Sequence, residues 1–163
     1  TGSDGEALLV RPQDFMDNAI PSENSMAAVG LLRLAALTGE ARYVDAARET
    51  VYRYAPFVTR APNAFGYAIE AIERLLEPPI EIAIVGAADA PDRHALERTV
   101  AARLVPSAVT VVADRPSPST PLLEGRRVAL PQAFVCEGFA CRLPSTSPTE
   151  LAAAIDDALS ARR

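Results

Sequence analysis

From Ser22 to Leu76 apolar residues return every three or four positions, the spacing of helices. Met26, Val29, Leu32 and Ala36 form one row, with Leu31, Leu34 and Ala35 beside it, so the first helix is apolar on more than one side. Ser22 after Pro21 predicts its N-cap and Gly39 after Thr38 its stop. A second helix is predicted from Glu40 to Tyr54, with Tyr43, Ala47, Val51 and Tyr54 on one face and Pro56 closing it. So short a turn makes the two helices antiparallel neighbours. A third starts near Asn63, read as a cap, and carries Phe65, Ala68, Ile69, Ile72 and Leu76. Glu77-Pro78-Pro79 ends it and marks a boundary.

After Pro79 the pattern shortens. Ile80–Val85 is an apolar run closed by Gly86, which suits a buried strand. Ala90–Leu104 reads as a helix with Pro91 in its first turn and a stripe of Leu96, Val100 and Leu104. Ala108–Ala113 is β-branched and apolar, a second strand, so a parallel βαβ unit is expected. Asp114–Gln132 reads as a long surface loop with a turn at Leu122–Gly125. Ala133–Cys136 and Cys141–Leu143 form the arms of a hairpin around Gly138-Phe139, where a leading Gly favours a type II′ turn. Ser147-Pro148-Thr149-Glu150 is a capping box with proline at the first helical position, opening a helix to about Ala161.

The chain has 163 residues, a size that fits one domain or two small lobes. Its 49% hydrophobic content supports a packed core, and its apolar runs are too short or interrupted to span a bilayer. A net charge of -5 argues against a general nucleic-acid binder. All 16 basic residues are Arg, so neither a Schiff base nor a P-loop lysine is available. One His and two Cys exclude multi-histidine and four-cysteine metal centres within this chain. No cofactor, metal, nucleic acid or membrane partner is expected.

Several separated motifs then point to one family. Glu6-Ala7-Leu8-Leu9-Val10-Arg11-Pro12, Asp17-Asn18-Ala19-Ile20-Pro21-Ser22-Glu23-Asn24-Ser25, Leu31-Leu32-Arg33-Leu34 and Thr38-Gly39 are followed by Ile82-Ala83-Ile84-Val85-Gly86 and Pro121-Leu122-Leu123-Glu124-Gly125. Ala133-Phe134-Val135-Cys136, Phe139, Cys141, Thr146, Pro148 and Glu150 close the series. In this order they resemble the C-terminal quarter of the thioredoxin-domain-containing, spermatogenesis-associated protein 20-like family. Members join an N-terminal thioredoxin-like domain to a helical toroid similar to N-acylglucosamine 2-epimerases and six-hairpin glycosidases. Glu23 departs from the pattern, which has Gly there, and a side chain at that point narrows any cavity.

The resemblance implies an α+β chain in which residues 1–79 supply the last helices of an (α/α)6 toroid and residues 80–163 a small α/β lobe. It implies an N-terminal remainder, toroid and thioredoxin-like domain, as partner; no basic stretch followed by an apolar run is visible at the N-terminus, so a cytoplasmic protein is expected. The helical faces look too apolar for three helices alone, so truncation is expected, with self-association of the isolated chain.

Arg11, Asp14, Asp17, Asn18, Ser22, Asn24 and Ser25 gather within fifteen residues. Such a loop can present carboxylates and amides to sugar hydroxyls, with Asp17 and Asn24 the foremost candidates. The same groups also serve as caps and Asx turns, and Arg11 can neutralise either acid. Cys136 and Cys141 face each other across the hairpin. They admit a strained, switchable cross-strand disulfide or two reduced thiols, and a cytoplasmic setting favours the thiols. Val85–Ala90 carries one Gly where a dinucleotide loop needs three, and lone His94 reads as a solvated helix residue. Arg126-Arg127 and Arg162-Arg163 read as solvated basic pairs. Three functions remain: a non-catalytic structural segment of a larger protein, part of a carbohydrate-active toroid enzyme, or a redox-linked module using the two cysteines.

Overall fold

The computed structural model describes residues 14–162, leaving Arg11 and the Glu6–Pro12 motif outside the described residues. Its elements run α1 (Glu23–Thr38), α2 (Ala41–Val58), α3 (Gly66–Leu76), β1 (Ile80–Val85), α4 (Pro91–Ala101), β2 (Val109–Ala113), β3 (Gln132–Glu137), β4 (Ala140–Cys141) and α5 (Pro148–Ser160). Five helices and a four-stranded mixed sheet make an α+β chain.

Ser22 caps α1 by accepting from Ser25 N–H, and Gly39 ends it at φ 71° while donating to the Ala35 carbonyl. That turn sends α2 back along α1, and α3 packs across both. Ala28, Val29, Leu32, Ala47, Val51, Tyr54, Phe65, Ala68 and Ala71 form their shared core. Two helical expectations fail. Pro56 lies inside α2, which runs on to Val58: so close to the C-terminus, its missing N–H costs one bond to the exposed Tyr52 turn. Asn63 does not cap α3 either; Pro62–Ala64 forms a 3-10 turn, and the cap comes from Asp17. The buried face of α3 is therefore rotated to Ala68 and Ala71, leaving Ile69 and Leu76 exposed.

The sheet order is β2-β1-β3-β4. β1 and β2 are parallel, joined through α4 as a βαβ unit, while β1–β3 and β3–β4 are antiparallel. Strand alternation splits β1 between two cores. Ile80, Ile82 and Ile84 meet Leu96 of α4 and Leu151, Ile155 and Ala158 of α5. Ala83 and Val85 face Leu122, Leu123, Phe134 and Cys136 on the other side. α4 stops at Ala101, three residues before the predicted Leu104, which is 89% exposed. In α5 the capping box forms as expected, with Ser147 accepting from Glu150 N–H and Glu150 accepting from Ser147 N–H.

The hairpin turn differs in type. Gly138 (φ 56°) and Phe139 (φ 63°) both occupy the left-handed region, the signature of type I′ rather than II′.

The two halves are tied by Arg74. Its side chain is buried, pairs with Glu70 at 2.9 Å, and donates to the Pro106 carbonyl (2.7 Å) and the Ser107 carbonyl (3.4 Å) ahead of β2. Among the described residues no helix is long and apolar enough to cross a membrane.

Candidate functional site

The acidic loop folds against the starts of two helices. Asp17 Oδ1 accepts from Ser22 N–H at 2.9 Å, and Oδ2 accepts from Tyr67 N–H at 2.8 Å and Ala68 N–H at 3.0 Å. A carboxylate at the positive end of α3 satisfies two of the orphan donors there. Partial burial pushes the Asp17 carboxyl up, but the Ser22, Ala68 and Tyr67 N–H groups and the Ser25 hydroxyl outweigh it and hold the carboxyl below the ordinary range. Asn24 Nδ2 donates to the Asp14 carbonyl at 2.7 Å, and Ser22 Oγ donates to Ser25 Oγ. Asp14 and Asn18 are exposed. The loop thus brings Asp14, Asp17, Ser22 and Asn24 together, with Asp17 engaged by backbone on both oxygens.

Beside this loop lies a cavity of about 400 Å3 between α1 and α2, lined by Phe15, Asn24, Glu49, Thr50, Arg53, Tyr54 and Phe57 among others. Glu23 is exposed and is not among the residues lining it. Tyr54 is 3% exposed, and its hydroxyl has no hydrogen-bond partner among the described residues. Burial, followed by the Asp17 charge, pushes its pKa up, so it remains a neutral donor. Phe15 and Phe57 stand with ring centroids 6.1 Å apart at the same cavity. An apolar aromatic wall with an amide, an acid and a guanidinium can hold a small polar molecule.

The second constellation crosses the sheet. Glu81 of β1 is the register partner of Cys136 in β3, and Cys136 that of Cys141 in β4, so all three share one face. Cys136 and Cys141 are joined as a disulfide with Cα atoms 3.9 Å apart, which corrects the expectation of two reduced thiols. The non-hydrogen-bonded register places their side chains face to face, and that geometry overrides the inference from compartment. Glu81 is 2% exposed and accepts from Phe139 N–H at 2.8 Å. Burial pushes its carboxyl up against that hydrogen bond, and the Glu137 charge adds to the rise. Beside it, an apolar cavity of about 370 Å3 lies between the Gly39 turn and the hairpin. The Phe139 ring lies close to Gly39, where a Cβ would meet it at 3.4 Å.

Arg126 is not a solvated member of a basic pair. Its guanidinium lies 3.7 Å over the Phe134 ring, donates to the Leu122 carbonyl and approaches Cys141 Sγ to 2.8 Å. Arg162 also folds inward, onto Glu137. His94 sits half-buried on α4 with Nδ1 3.4 Å from Glu97. Among the described residues no three His, Cys, Asp or Glu side chains gather to hold a metal.

Glu81, Arg126, Tyr54 and Arg74 are the residues that sequence reasoning missed. Only Glu81 left a signal: an acid inside an otherwise apolar strand must be buried with a partner.

No family model matches the chain, and no solved structure matches it. Curated relatives do. Spermatogenesis-associated protein 20 from Homo sapiens is 33% identical over 155 residues, which cover 90% of this chain and 20% of that protein. The proteins of the same name from Rattus norvegicus and Mus musculus are 32% and 31% identical over the same extents. The chain is therefore similar, over nine-tenths of its length, to a stretch that makes up about a fifth of spermatogenesis-associated protein 20.

Proposed function

We propose that this chain is a non-catalytic structural segment of a larger protein: its helices complete an (α/α) toroid and its sheet half forms an appended lobe. The observation that carries this reading is the unfinished cover of the helical half. Met26, Leu34, Tyr52, Phe57, Ile69 and Leu76 are all exposed on α1–α3, Leu76 at 77%. Apolar surface of that extent marks a contact with further protein. The share of the relatives that the chain spans supports a remainder able to supply it. Light scattering on the isolated chain tests the reading. Concentration-dependent self-association is expected, weakened by Leu76→Glu and Tyr52→Glu; a monodisperse monomer at all concentrations overturns it.

A second reading, a carbohydrate-active toroid, draws on the cavity at Asn24 and Tyr54. There Phe15 and Phe57 would cover a ring face of a sugar while Asn24, Glu49 and Arg53 meet its hydroxyls. Asp17 would position Ser22 and α3 rather than touch the ligand. Asn24→Ala and Arg53→Ala, in the longer protein, should then weaken a sugar ligand with little change in melting temperature. The cytoplasmic setting belongs with both readings as a proposal.

A further inference from the structure

We propose that the Cys136–Cys141 bridge is a thiol–disulfide exchange site, attacked at Cys141 by an external thiolate, with Glu81 giving the proton that the departing Cys136 sulfur takes up. This deepens the redox alternative and is independent of the structural role above, which light scattering tests separately.

The two sulfurs differ in access. Cys136 is 1% exposed, whereas Cys141 is half-buried on a two-residue edge strand, so of the two sulfurs Cys141 Sγ is the one nearer to solvent. Arg126 stands 2.8 Å from that sulfur. A guanidinium there attracts an anionic thiolate and stabilises Cys141 as a thiolate once it is released. Cys136 has the opposite surroundings, packed with Ala83, Leu122 and Phe134, where an unneutralised sulfur anion is costly. Its neighbour on the same face is Glu81, a buried carboxyl with one backbone donor. The arrangement is a charged partner for the outer sulfur and a proton source for the inner one.

The chemistry balances with a thiol as reductant. A thiolate RS⁻ attacks Cys141 Sγ and forms an R–S–Sγ bond; the Sγ–Sγ bond breaks and its electron pair passes to Cys136 Sγ, which takes the proton from Glu81. A second RS⁻ attacks the R sulfur of the mixed disulfide, releasing RSSR and Cys141 as a thiolate beside Arg126. Solvent protons restore Glu81 and protonate Cys141. Two thiols of the donor are oxidised to one disulfide while the bridge is reduced to two thiols.

The test is native-state reduction of the protein by dithiothreitol and, separately, by glutathione, quenched with iodoacetamide and mapped by mass spectrometry. Reduction without loss of the circular dichroism spectrum is expected. In single variants, Cys136→Ser should form a glutathione adduct at Cys141 with oxidised glutathione, and Cys141→Ser should react at Cys136 at least about tenfold more slowly. Glu81→Gln keeps an acceptor for Phe139 N–H and should slow reduction by about tenfold or more. Reduction by glutathione as readily as by dithiothreitol points to a monothiol partner, and by dithiothreitol alone to a dithiol; both sustain the proposal. A bridge that opens only in denaturant, equal reactivity of the two single-cysteine variants, or an unchanged rate in folded Glu81→Gln overturns it. Should Glu81→Gln fail to fold, Glu81→Asp replaces it and the cysteine pair decides the point of attack.

Discussion

The helical half and the sheet half solve burial in different ways. Around α1–α3 the core includes four alanines, Ala28, Ala47, Ala68 and Ala71, beside Tyr54 and Phe65. Larger side chains such as Tyr52, Phe57 and Leu76 point outward. Around β1 the reverse holds: Ile80, Ile82 and Ile84 are fully covered by Leu96 and by Leu151 and Ile155. The sheet half uses its own helices as a lid, whereas the helical half presents surface suited to more protein. The comparison shows that one short chain can hold both a self-sufficient core and one built to be extended.

Four tests break or sharpen that contrast, and the largest effect belongs to the sheet half. Ile82→Ala should cost about 4 kcal/mol, against about 2 kcal/mol for Val51→Ala in the helical core, read from urea denaturation midpoints. Equal costs would dissolve the distinction between the cores. Next, Arg74→Ala should remove about 3 kcal/mol by leaving the Pro106 and Ser107 carbonyls and Glu70 without their donor. Unfolding should then divide into two transitions, and a single sharp transition would show that the halves cooperate by other contacts.

Asp17→Asn comes third, at about 2 kcal/mol near neutral pH, because it sets an amide N–H₂ against backbone N–H donors. The sign of its pH dependence follows from the depressed carboxyl. The folded state binds its proton less readily than the unfolded one, so the stabilisation is present in full above the unfolded value of about 3.9 and is lost as pH falls through the lower folded value. Denaturation series should therefore show wild type and Asp17→Asn converging in acid; a constant gap would remove the carboxylate from the explanation. Smallest is Gly39→Ala. It forces a Cβ into φ 71° and against the Phe139 ring, for a loss of about 1 kcal/mol by thermal melting. Gly39→Asn should lose less.

Local chemistry was readable wherever a signal and its partner lay within a few residues. Ser22 and Gly39 bound α1, and Ser147 with Glu150 opens α5, because caps act over one turn. The buried run Ile80–Val85 and the parallel partner Val109–Ala113 were legible for the same reason. Misreadings arose where a distant group intervened. α3 takes its cap from Asp17, fifty residues earlier in the chain, so Asn63 is left exposed and the helix face turns away from Leu76. In the candidate sites, the cysteine register was visible in the hairpin, while Arg126 looked like an ordinary surface charge. Nothing in its neighbourhood along the chain announces Phe134 or Cys141.

Sequence alone determined the alternation of helix and strand, the caps of α1 and α5 and the facing register of Cys136 and Cys141, since each depends on spacing that the backbone repeats. Tertiary structure alone decided what the buried ionisable groups face: Arg74 the loop before β2, Glu81 the disulfide strand, Asp17 the start of α3. A buried charge is tolerated only where donors or acceptors converge from several segments, and that convergence exists only once the chain has folded.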